Sequence, residues 1–209
     1  MHSAVEAQGA YDITDVPSIV RGAVRLGLLE ALIVLLFSLA SRFLAGPIET
    51  VVLALILLVG LAAVMMLPGL WTAARTIEGI AGAAGIGLGA TGVFLLLDVI
   101  LLQNIGIYTN RWYEIGGGSN WWYHPVWWMV GTFIPWMGAW ILANQAARNG
   151  RVSLPAAFGT AVLFSIVAAI AAVLLGVPHA GWTLGTFGVA FLPGLALATA
   201  VSSLGIRRG

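Results

Sequence analysis

Cysteine and lysine are both missing from this chain, and charge of either sign is scarce. Nine bases, all arginine, and eight acids are spread over 209 residues. Without cysteine there are no disulfides, thiolate metal sites, iron–sulfur clusters or thiol nucleophiles. Without lysine there is no retinal Schiff base and no other lysine-based covalent chemistry, which excludes a rhodopsin-type photoreceptor. A net charge of +1 provides no global basic field, so nucleic acid is not an expected partner. The first residues, MHSAVEAQGAYDITDVP, lack the basic start and apolar run of a secretory signal.

What is present is apolar. Hydrophobic residues make up 60% of the chain, charged residues 8%, and the mean hydropathy is +1.00, far outside the composition of a soluble domain. Crossing the hydrocarbon core takes about 20 mostly apolar residues at helical rise. Runs of that kind begin near Pro17, Pro47, Glu78, Pro125, Leu154 and Gly181, and end near Ala45, Leu67, Asn104, Ala147, Val177 and Leu204. The expected fold is therefore all-α: a bundle of six transmembrane helices with short loops. A tail over 1–16 precedes a single domain over 17–209, and an aromatic loop occupies 105–124. Asp15 and Pro17 have the chemistry of an N-cap and a first-turn proline, while Pro68 and Gly69 are expected to close the second helix.

Positive residues are retained on the cytoplasmic side during insertion. With six spans, Arg21, Arg25, Arg75, Arg148, Arg151, Arg207 and Arg208 share one side, and only Arg42 and Arg111 face the other. Both termini are accordingly expected in the cytoplasm, as in a multi-pass protein of a bacterial cytoplasmic membrane. The aromatic loop and the turn carrying His179 then lie outside. Pro47, Pro68, Trp71 and Thr72 around the second helix echo Pro155, Pro178, Trp182 and Thr183 around the fifth, a weak hint of an inverted repeat of three helices.

The outer loop is dense in indole and phenol rings: Tyr108, Trp112, Tyr113, Trp121, Trp122, Tyr123, Trp127 and Trp128. Such rings settle at membrane interfaces, with the ring in the acyl boundary and the polar atom toward water. That explanation fails for Trp136 and Trp140, which continue the face of Trp128 into the span at helical spacing. They face lipid, pack against another helix or border a groove for a lipid tail, quinone or carotenoid. The third helix carries Gly82, Gly85, Gly89 and Gly92 in EGIAGAAGIGLGATG, spacings that let a second backbone approach where burial of apolar area gives no drive. It is expected to be the central helix.

Two acids interrupt apolar runs, Glu30 in LGLLEALIVLL and Asp98 in FLLLDVILLQN. An acid in a span is costly and is by default a candidate functional site. Both are read as lying off the midplane, Glu30 toward the arginine-bearing side and Asp98 toward the outer side. Asp98 is expected to pair with Arg111 or Arg42, or with tyrosine and tryptophan donors of the loop. A sharper alternative joins Asp98 with His124 and His179 as an outer metal site or proton relay. The favoured function is a noncatalytic membrane subunit or scaffold whose aromatic outer face meets lipid, a pigment- or quinone-bearing partner, other membrane subunits or a second copy. A small proton-coupled transporter or channel using Asp98 or Glu30 is the alternative, and an enzyme comes third.

Overall fold

A computed structural model describes residues 15–109 and 123–204, with the backbone alone at 123–127 and 129. The described residues form six helices and no strand: α1 (Val16–Phe43), α2 (Gly46–Trp71), α3 (Ile77–Leu97, continued by a π-helical turn over Asp98–Leu102), α4 (Tyr123–Asn149), α5 (Leu154–Leu174) and α6 (Leu184–Ser203). All except α4 are long and apolar enough to cross a membrane.

Local chemistry explains most boundaries. Asp15 caps α1 by accepting the Ser18 N–H at 3.1 Å, and Pro17 follows in the first turn, where its missing N–H is not needed. Thr76 and Thr183 cap α3 and α6 in the same way. Only Leu44 and Ala45 separate α1 from α2, a reversal made by Gly46 at φ +69, where a Cβ would be strained.

Pro68 does not end α2, contrary to the sequence expectation. The helix runs on to Trp71 because Gly69 seats against Ala139 of α4, where an added Cβ would lie 3.0 Å from the Ala139 Cα. The buried Thr72 hydroxyl then reaches the carbonyls of Pro68, at 3.0 Å, and Gly79, at 2.8 Å, and so ties α2 to α3.

Direction and packing follow from the closest approaches. Gly87 and Thr91 of α3 meet Pro135 and Gly131 of α4, so these helices are antiparallel. Met65 and Gly69 of α2 meet Gly138 and Ala139 of α4, so these are parallel. Asn144 and Arg148 of α4 reach the end of α6, again parallel. Helices α1, α3 and α5 thus run one way and α2, α4 and α6 the other. The start of α1 and the end of α6 share one end of the bundle with Arg21, Arg25, Arg75, Arg148 and Arg151, and Arg42 lies at the other.

Helices α1, α2 and α4 all pack against α3, while α5 leans on α6, which in turn rests on α4. The central place expected for α3 is therefore shared with α4. One large apolar core joins α4 to the other helices through Met65, Ile134, Leu142, Phe191 and Leu195. A smaller one, of Val34, Phe94, Leu102 and Ile107, closes the far end between α1 and α3. The repeat-like echo does not reach the structure. Pro68 and Trp71 are helical, whereas Pro178 and Trp182 lie in the connection between α5 and α6.

Candidate functional site

Asp98 is fully buried at the first position of the π-helical turn that ends α3. The turn is marked by the Gln103 N–H donating to the Asp98 carbonyl five residues back, at 2.9 Å. This extra residue in the turn brings the Gln103 side chain round to the Asp98 carboxylate, where Gln103 Nε2 donates to Asp98 Oδ2 at 2.6 Å. The Tyr108 hydroxyl donates to the other oxygen, Oδ1. One phenol from the start of the outer loop thus takes the part expected of that loop's donors. Arg42 is exposed at the end of α1, and Arg111 lies outside the described residues.

The same end of the bundle buries further polar groups. Glu49, in the first turn of α2, is only 4% exposed, and Ser38 and Ser41 of α1 are equally enclosed. The Ser41 hydroxyl donates to the Ser38 carbonyl at 2.9 Å, while Ser38 Oγ has no hydrogen-bond partner among the described residues. Glu49 escapes a reading of the sequence because an acid following Gly-Pro at a helix start has the pattern of an exposed complement to the helix dipole. Only tertiary packing reveals its burial.

Glu30 is placed differently from the sequence expectation. It falls at the middle of the 28-residue α1, level with the middles of the two helices it faces, rather than near the arginine-bearing end. It continues the buried stripe of Gly22, Leu26, Val34 and Ser38. One turn before it, an added Cβ on Gly27 would lie 2.7 Å from the Ala90 carbonyl oxygen, itself midway along α3. One turn after it, Ile33 packs on Gly60, midway along α2.

The walls facing this acid are apolar. Between Thr50 and Thr72, α2 has no hydroxyl, amide or charged side chain, and between Glu78 and Asp98, α3 has only Thr91. Thr91 donates to the Gly87 carbonyl at 3.1 Å, within its own helix. No hydrogen bond or ion pair links Glu30 to any described residue, and Arg21 and Arg25 are exposed.

Trp136 stands at the middle of α4, half buried, against the main core. Its ring meets Trp140 edge-on at 5.4 Å between centroids and Phe133 at 6.1 Å. The three rings form a ladder along one face, whose outermost member, Phe133, is 42% exposed. Trp128, one turn and more toward the helix start, is 43% exposed. Arg111, Trp112, Trp121 and Trp122 fall outside the described residues, as do the side chains of Tyr123, His124 and Trp127.

His179 is exposed at φ +64 in the connection between α5 and α6, the hairpin that rests on α4. Asp98 instead belongs to the sealed end of the α1–α3 contact. Among the described residues no three His, Cys, Asp or Glu side chains gather as a metal site.

The glycines expected to pack divide by position. Gly89 is pressed against Ala23 of α1, where an added Cβ would lie 2.7 Å from the alanine methyl. Gly85 has an ordinary contact with Ile19, Gly92 faces open space and Gly82 is half buried. The tightest approaches belong to glycines outside that set: Gly131, Gly138, Gly87 and Gly194.

The chain matches no family model, no curated protein and no solved structure.

Proposed function

We propose that the chain is a noncatalytic integral membrane subunit or scaffold of a larger membrane assembly, crossing the bilayer six times with both termini in the cytoplasm. The observation that carries this reading is the setting of Asp98. A carboxyl that is wholly enclosed and held through both oxygens by Tyr108 and Gln103 is built to fix the end of α3 against its outer loop. It is not arranged as a group that meets solvent or cargo. The sixth span is α4, whose 27 residues are long enough at 1.5 Å per residue and which touches α2, α3 and α6 in the bundle interior. The grouping of arginines at the end shared by α1 and α6 supports the orientation.

The partners are other membrane subunits, or a second copy, and lipid. The aromatic face of Phe133, Trp136 and Trp140 is the surface offered to them or to an isoprenoid such as a quinone or carotenoid. Native mass spectrometry of the protein extracted gently from its own membrane tests the reading. The expected result is a mass above that of the chain with its lipid, whereas a bare monomer in every mild detergent would overturn it.

Glu30 favours a second reading, a small proton-coupled transporter. A buried acid at the middle of the bundle, with apolar walls and no described partner, is the usual mark of a coupling site in a membrane protein.

A further inference from the structure

We propose that the cleft between α4, α5 and α6, at the arginine-bearing end of the bundle, binds the phosphate headgroup of an anionic membrane phospholipid. Only four residues connect α4 to α5, yet α5 leans away from α4 onto α6. The close contact that holds it there is Gly194 against Ser165, where an added Cβ would lie 2.4 Å from the Ser165 backbone. A wedge of about 250 Å³ is left, with Ala157 and Ala198 among its apolar walls.

The polar lining is fixed and rich in donors. Asn144 Nδ2 donates to the hydroxyls of Ser202, at 2.8 Å, and Ser203, at 3.2 Å. Arg148 Nη2 donates to the carbonyls of Ser202 and Leu204, and Gln145 Oε1 accepts the Ser153 N–H at 2.9 Å. These bonds hold the side chains in place but leave Arg148 Nε and Nη1, Gln145 Nε2 and the Asn149 amide without a described acceptor. The lining contains one base and no acid. A planar guanidinium flanked by carboxamide donors matches a phosphate, which offers several acceptor oxygens to a forked donor.

Two features select a lipid over a dissolved anion. The cleft is smaller than the roughly 300 to 1,000 Å³ of a site that encloses a whole small molecule, so it suits a headgroup whose remainder lies outside. One turn deeper than Thr160 on the same face of α5, Phe164 is half-buried against the main core. Its ring continues the cleft as an apolar surface for an acyl chain.

Native mass spectrometry of the full chain in a nonionic detergent, titrated with phosphatidylglycerol or phosphatidylcholine, tests the assignment. Phosphatidylglycerol should be retained more tightly, and Arg148→Gln should weaken it about tenfold, as expected for loss of a charged hydrogen-bonding group. Because Arg148 also secures α6, a second variant, Thr160→Trp, fills the cleft from an exposed position and keeps the guanidinium. It too should abolish the preference, with thermal stability unchanged. Equal retention of both lipids by the parent, or a preference that survives both variants, would reduce the bound lipid to ordinary annulus and overturn the proposal. Displacement of phosphatidylglycerol by an equal concentration of inorganic phosphate would overturn the lipid assignment in favour of a dissolved anion.

Discussion

A Cβ added to Gly87 would lie 2.1 Å from the carbonyl oxygen of Gly131, so α3 and α4 cross with their backbones in direct contact. Pro135 closes the same crossing, with its ring 2.4 Å from that Cβ position. Neither a carbonyl nor a proline ring can turn aside, so Gly87→Ala should lower stability by about 1 to 3 kcal/mol through overpacking. Gly92→Ala, which faces open space on the same helix, should be neutral or gain about 0.5 to 1 kcal/mol from helix propensity. Thermal denaturation of both variants in one detergent checks the pair, and equal stability of the two would place the crossing elsewhere.

That contrast shows how much the residues alone disclose. The glycine run of α3 is legible as a close-packing surface because glycine has no other use at such density in a span. Which glycines meet a backbone depends on where α4 crosses, and no periodicity within α3 encodes it. The cap at Asp15 is legible because a side-chain acceptor before a proline is local chemistry. Pro68 misleads for the converse reason: the proline rule is local, while the packing of Gly69 on Ala139 that keeps the helix going is tertiary. Glu30 is misplaced by a sequence reading because Arg25, a little over one turn before it, reads as the membrane boundary, whereas the packing of Gly27 on Ala90 and of Ile33 on Gly60 sets it level with the middles of α3 and α2. Its place along the bundle follows those contacts, which no spacing within α1 encodes.

The bonds around Asp98 give a separable pair of variants. Tyr108→Phe keeps the ring and removes the hydroxyl that donates to an enclosed carboxyl, and should cost about 1 to 3 kcal/mol of stability. Asp98→Asn keeps the shape but places a donor where Tyr108 or Gln103 already donates, and should cost a similar amount. Under the scaffold reading neither variant alters ion flux in proteoliposomes. A normally folded Asp98→Asn protein that loses a pH-dependent flux would transfer Asp98 to the transporter reading.

Topology is testable without background because the chain has no cysteine. Val177→Cys, in the exposed connection between α5 and α6, should react with an impermeant maleimide added to intact cells. Asn149→Cys, at the exposed end of α4, should react only after permeabilisation. The opposite pattern would invert the orientation, and labelling of both from outside would break the six-span arrangement.

Glu30 decides between the two functional readings, and its substitution by glutamine does so without changing volume. A carboxyl at the middle of α1, with no described partner, costs the fold something in the charged form that an amide does not. If the acid is only tolerated, Glu30→Gln should be at least as stable as the parent in detergent, and every flux and assembly assay should be unchanged. If it binds a proton that is moved across the membrane, the variant should be equally stable but should lose proton-driven flux, because glutamine cannot release a proton. Glu30→Leu adds a control. It should stabilise the contact of α1 with α3 under either reading, since the walls formed by the middle of α2 and α3 are apolar. A Glu30→Leu protein that unfolds would show instead that the carboxyl is held by a polar partner, and both readings of Glu30 would fall together.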